Sequence, residues 1–200
     1  MIAIVRSELH RAATIRSSWV SIAVLGTVGA LFGWFNVDSW ALLTCLGAFG
    51  LAVMTVAQHY QHRTAVLLYL AQPKRVLVLI AQVIASVVVA SGVAALSGAT
   101  VLAKGDLTQY RYTLTVVPVM AVFGAATAAI VRRPTWLFLG CAGWFVFVEG
   151  LVGRLKAPLP FSAFLGSGAG ERDSLLIAAG WAAVAFVGAV IAIRRDLTGD

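Results

Sequence analysis

Charge is scarce in this 200-residue chain: 12% of its residues are charged and only 8 are acidic, whereas soluble domains carry about 25% charged residues. An ordinary water-soluble enzyme and a disordered chain are both excluded, since each needs far more polar surface. Cysteine is nearly absent. Cys45 and Cys141 both lie inside apolar runs with no Cys or His cluster beside them, so they read as small packing residues and imply neither disulfides nor a metal. Catalytic and nucleotide-binding motifs are missing as well. There is no GxxxxGK[ST] loop, no HExxH, no GxSxG with plausible partners, and no acidic pair within an apolar segment; these are the patterns that phosphate binding, zinc hydrolysis and acyl transfer require. The nearest approach to a phosphate loop, Gly166-Ser167-Gly168-Ala169-Gly170-Glu171, lacks the following lysine and hydroxyl and reads as a flexible external turn. The chain is therefore not expected to be an enzyme by itself, and any ATP that it uses must be bound by another polypeptide.

What is present is apolar. Hydrophobic residues make up 60% of the chain against about 45 to 50% in soluble proteins, and the mean hydropathy is +0.93. At about 20 residues per membrane-crossing helix, that composition supplies about six spans. Charge-free windows place them near residues 19–35, 41–57, 76–100, 113–131, 135–151 and 175–193. The expected fold is a single all-α transmembrane domain over residues 1–200. Its net charge of +7 then marks a membrane face rather than a nucleic-acid surface. With both termini inside, Arg6, Arg11, Arg16, Arg63, Lys74, Arg75, Arg132, Arg133, Arg194 and Arg195 face the cytoplasm, while Lys104, Arg111, Arg154, Lys156 and Arg172 face outward. The excess favours N-in/C-in, because basic loops are retained on the cytoplasmic side.

Residues 1–16 read as a helix lying in the membrane interface, with Ile2, Val5, Leu9, Ala12 and Ala13 on one face and Arg6, His10 and Arg11 over the rest. No small-residue cleavage site follows the first apolar run, so this start is expected to be retained. Within the spans, Gly29 and Gly33 form a GxxxG pair, which serves close helix packing inside one bundle or between two copies. Arg132-Arg133-Pro134 reads as a very short inner hairpin with proline opening the fifth span.

Two polar features stand out. Residues 58–75 are polar at the start, apolar in the middle and closed by Pro73-Lys74-Arg75, far longer than the two to eight residues that usually join neighbouring helices. They read either as an interfacial helix under the headgroups or as an amphipathic helix that docks in a groove of a cytoplasmic partner. His59 and His62 share one helical face but have no third ligand nearby for a metal. The second feature is Glu149, the one acid in the body of an apolar segment. Near the outer end of the fifth span, it either reaches water or Arg154 in a structural role or belongs to a substrate path.

Taken in order along the chain, these residues resemble ABC-2 type transporter permeases. Gly50-Leu51-Ala52-Val53-Met54-Thr55, then His59-Tyr60-Gln61-His62-Arg63-Thr64, then Leu70-Ala71-Gln72-Pro73-Lys74-Arg75 look like that family's second span and coupling helix, with Tyr60, His62, Thr64, Pro73 and Arg75 matching its pattern. Arg132-Arg133-Pro134, the pair Trp144 and Glu149, and Arg194-Arg195-Asp196 are similar to its fourth-to-fifth-span hairpin, fifth span and C-terminal end. The resemblance implies a six-span permease of the bacterial plasma membrane that pairs with a second permease, same or different, and with cytoplasmic ATP-binding subunits that hold ATP and magnesium. It implies that His59, Tyr60, His62, Arg63, Thr64, Leu67, Leu68, Pro73 and Arg75 couple to the ATPase, and it makes Glu149 and Trp144 candidates for a substrate path or outer gate. The chain departs from the family at His59, Arg63 and Gln82, where a Glu, a Gly and a Lys are usual, a pattern that suits one half of an unequal pair. The expected function is export of a hydrophobic or amphipathic compound, with lipids as neighbours and no nucleic acid. The rivals are a small-molecule-binding membrane subunit of an uptake system and a non-transporting structural or regulatory membrane protein.

Overall fold

An apolar segment in lipid has no water to bond its main-chain N–H and C=O groups, so helix formation is its way of satisfying them. The computed structural model describes residues 2–61, 74–155 and 157–195, and it is about 90% helical with no strand among the described residues. In chain order the elements are α1 (Ile2–Thr14), α2 (Arg16–Phe35), α3 (Val37–Gln61) and α4 (Arg75–Ser97). After these come α5 (Ala99–Ala103) and α6 (Leu107–Val131). Next, α7 (Pro134–Gly143) runs directly into a π-helical segment (Trp144–Val152), and α8 (Pro160–Gly168) and α9 (Arg172–Arg195) complete the chain. Six stretches are long and apolar enough to cross a membrane: Ser18–Phe35, Val37–Gln61, Arg75–Ala103, Leu107–Val131, Pro134–Val152 and Arg172–Arg195. The chain thus has the character of a multi-pass membrane protein.

The helices outrun their apolar windows. At 1.5 Å per residue, the 25 residues of α3 and of α6 each reach about 37 Å, more than the roughly 30 Å of a hydrocarbon core. Continuing a helix adds one hydrogen bond per residue, so it runs on through the polar residues Gln58–Gln61 and Thr108–Tyr112. Side chains start the helices that follow tight turns. Asn36 Oδ1 accepts from the N–H groups of Asp38 and Ser39 at 2.8 and 3.1 Å, and Asp106 Oδ1 accepts from Gln109 N–H at 3.0 Å. Arg132, in the left-handed region at φ 60°, ends α6, and Pro134 begins α7 two residues later, at a position where its missing N–H matters least.

The central pair is α3 against α6, flanked by α4 and α9, with α2 lying on α3 and α4 and with α1 lying on α4 and α2. The crossing of α3 and α6 needs Gly124, since a Cβ there would stand 2.8 Å from the main-chain oxygen of Phe49. Around this crossing an aromatic cluster joins Phe49, Phe123, Phe138, Phe145, Phe161 and Phe164, with ring centroids 5.6 to 6.1 Å apart, within the favourable range for edge-on and tilted pairs. A smaller cluster stacks Trp40 on Tyr110 at 6.0 Å, and Trp40 Nε1 donates to Ser97 Oγ at 3.1 Å.

One expectation is corrected. Gly166–Glu171 is not simply a flexible external turn: Gly166–Gly168 end a helix, Pro160–Gly168, whose two phenylalanines enter the core, and Gln109 Nε2 donates to the Gly168 oxygen at 2.6 Å, which pins the stretch to α6. In α1 Glu8 is the buried residue, with Val5, Leu9 and Ala12 of the apolar stripe half-buried beside it and Ile2 83% exposed.

Candidate functional site

One cluster forms where α1 meets the last turns of α3. Glu8 and Arg11 are three residues apart, so they share a helix face, and Arg11 Nε lies 3.1 Å from Glu8 Oε2. His59 comes from α3 and places Nε2 3.1 Å from Glu8 Oε1 and 3.2 Å from Oε2. Arg11 then reaches past the pair: Nη2 donates to the Thr55 oxygen at 3.1 Å and Nη1 to Gln58 Oε1 at 3.4 Å. Glu8 and His59 are each 4% exposed, so the clamp is almost dry. Burial on its own raises the Glu8 pKa, but the hydrogen bond from His59 together with the charges of His59 and Arg11 outweighs it, and the carboxyl is held below its ordinary value of 4.5. A lowered carboxyl contributes stability that is fully present above its unfolded value and is lost as pH falls through its folded value. The expected result is that the unfolding midpoint of the purified protein in detergent falls more steeply below about pH 4.5 than that of Glu8→Gln; parallel pH profiles of the two proteins would contradict this.

The other residues singled out in the sequence fall into three groups. Tyr60 lies beneath the Arg132 guanidinium, 5.4 Å from ring centroid to Cζ, a cation–π distance that joins the end of α3 to the α6–α7 hairpin. Arg75 opens α4, and Gln82 is buried within it. His62, Arg63, Thr64, Leu67, Leu68 and Pro73 lie outside the described residues. Gly29 and Gly33 face the same chain: a Cβ on Gly29 would stand 3.0 Å from Ser97 Cβ, and one on Gly33 2.5 Å from Thr100 Oγ1.

At the opposite end of the bundle, Glu149 is fully buried. Its Oε1 accepts from Trp144 Nε1 at 3.0 Å and from Phe161 N–H at 3.1 Å, while Oε2 accepts from Ser162 N–H at 2.5 Å. The expectation that Glu149 reaches water or Arg154 is therefore wrong: no ion pair joins the two residues among the described residues, and the carboxylate instead caps α8. The physical reason is the helix end itself. Pro160 has no N–H, and the next two donors would be stranded in a buried site without an acceptor; an anion there also meets the positive end of the helix dipole. The π-helical turn makes the Trp144 contact available. Five residues along an α-helix turn through about 500°, which leaves two side chains about 140° apart, whereas a π-helix closes its hydrogen bonds at i→i+5 and brings them to one side.

Comparison with known proteins adds nothing to this geometry. No family model, curated protein or solved structure matches the chain. Its own chemistry is then the guide, and it centres on a cavity of about 280 Å³ between α3, α6, the π-helical segment and α8. Asp38, Leu42, Cys45, Met120, Phe161 and Phe164 are among its walls. Glu149 and Trp144 do not line it. They hold the first turn of α8, which carries Phe161, and so position the wall from behind.

Proposed function

We propose that the chain is the permease subunit of an ATP-driven exporter, oriented N-in/C-in in a bacterial plasma membrane, with α1 lying along the cytoplasmic interface. It pairs with a second permease and with cytoplasmic ATP-binding subunits that hold ATP and magnesium. The observation that carries this reading is the Glu8–Arg11–His59 clamp. It ties the N-terminal helix to α3 just before the stretch 62–73, at the point where an ATPase would push. From there α3 leads through the tight Phe49–Gly124 crossing to α6, so a force applied at the clamp end tilts the two central helices together. Rigid-body tilting of packed helices about such a crossing is a known way to open a path on alternate sides. The departure at His59 fits the scheme, since the residue has its own carboxylate partner in Glu8.

The test is purification of the tagged protein from its native membrane in mild detergent, with vanadate-sensitive ATP hydrolysis as the readout. A stoichiometric ATP-binding subunit is expected. Replacing Leu67 and Leu68 together by Asp is expected to abolish ATP-driven transport and co-purification while the protein still inserts, because two charges replace the apolar face that docks in a groove. Unchanged transport by that variant, or a wild-type chain that purifies without any ATPase, overturns the reading.

A further inference from the structure

The cavity between α3, α6, the π-helical segment and α8 has three properties that together select a ligand. Its buried wall is apolar: Cys45, Met120, Phe161 and Phe164 line it, and they offer a polar group at most a weak thiol contact. Its wall on α3 includes Leu42 and Leu46, which are 40% and 44% exposed, so the cavity reaches the apolar flank of the bundle. Its rim is acidic. Among the described residues Asp38 is the one charged residue in the lining, and its carboxylate has no hydrogen-bond or ion-pair partner there; only its main-chain N–H is engaged, by Asn36. The neighbouring rim side chain, Gln109, is spent on the Gly168 oxygen at 2.6 Å, and no Lys or Arg among the described residues lines the cavity.

From this we infer that the cavity binds a single-chain cationic amphiphile, with the hydrocarbon among the phenylalanines of α8 and the positive headgroup at Asp38. The volume of about 280 Å³ falls just below the range of small-molecule sites, about 300 to 1,000 Å³, which suits one alkyl chain or ring system and not the two tails of a phospholipid. An anionic headgroup would meet Asp38 with no cation to offset it. The apolar flank lets such a molecule arrive from the bilayer, where its tail is already dissolved, so only the headgroup contact and the aromatic wall discriminate. This deepens the permease reading by naming the class of cargo. The binding step belongs to this chain alone and needs no ATPase.

The experiment measures binding of dodecyltrimethylammonium to the full chain in lipid nanodiscs, with empty nanodiscs as the reference and dodecyl sulfate and dodecyl maltoside as anionic and neutral competitors. Saturable binding of the cation above the empty-disc level is expected, displaced poorly by the sulfate. Asp38→Asn, a change at an exposed rim, is expected to weaken the cation about fivefold, the upper end for an exposed ion pair, and to leave dodecyl maltoside unchanged. Leu42→Trp, in the half-exposed wall on α3, is expected to weaken both. Equal affinity of the wild type and Asp38→Asn for the cation, binding of dodecyl sulfate as tight as that of the cation, or a phospholipid that stays bound and resists displacement would each overturn the assignment. Those failures leave the co-purification test untouched, and a missing ATPase would leave the binding result standing.

Discussion

Glu149→Ala is expected to produce the largest loss of stability of any single side-chain truncation in the second half of the stretch Pro134–Val152. The variant strands the buried N–H groups of Phe161 and Ser162 and leaves Trp144 Nε1 without its acceptor. An unsatisfied buried donor costs about 1 to 3 kcal/mol, so the two main-chain groups alone amount to about 2 to 6 kcal/mol. Glu149→Gln keeps the size but turns an NH2 group toward one of those donors, so it is expected to recover only part of the loss. Thermal unfolding in detergent measures the total, and amide exchange at Phe161 and Ser162 locates it. Faster exchange confined to α8 is the expected signature, with the cavity lost because Phe161 and Phe164 are no longer held. Unchanged protection of those two amides would show that α8 is held by its aromatic packing and not by the carboxylate.

The second large effect is expected from Glu8→Ala. The variant takes from His59 its buried acceptor and from Arg11 its carboxylate partner, while Arg11 keeps the Thr55 oxygen and Gln58; a buried donor left unsatisfied costs about 1 to 3 kcal/mol. The loss is expected to appear as undocking of α1 rather than as global unfolding, because Glu8 is the single buried residue of that helix. Limited proteolysis between α1 and α2, near Ile15, reads this directly. His59→Phe provides the control: it fills the space with an apolar ring and leaves Glu8 paired with Arg11, so it is expected to be milder than Glu8→Ala. A proteolysis rate equal to wild type in Glu8→Ala would remove the clamp from the argument.

The six long helices were legible because an unbroken apolar window of about 20 residues has few other structures open to it. Three parts of the site were not, each for a separate reason. α8 has nine residues, too few to register as a span, and its buried face comes from two phenylalanines in a stretch that otherwise looks like a loop; Pro160 ahead of Phe161, Ala163 and Phe164 was the available signal. Glu8 sat among Arg6, Ser7, His10 and Arg11 and looked like part of a solvated helix face. Its partner His59 is 51 positions away, a separation that no local pattern reports. Glu149 was found as an anomaly, but its partners were assigned by nearness along the chain. Reading Trp144 and Glu149 with α-helical geometry puts them on different sides of the span, and only the π-helical turn reverses that.

That turn also sets a rule of residue counting. A π-helical turn holds one residue more than an α-helical one, and an ordinary helix brings together residues four apart. Deleting Val146 would leave Trp144 and the carboxylate four positions apart, so a plain α-helix could carry the same pair. Elsewhere in a span, losing one residue rotates every later side chain by about 100° about the axis and turns the buried face away from its partner. Here the slack is already built in, which makes Trp144–Val152 a stretch of the fifth span where the chain can lose a residue and keep its register with α8.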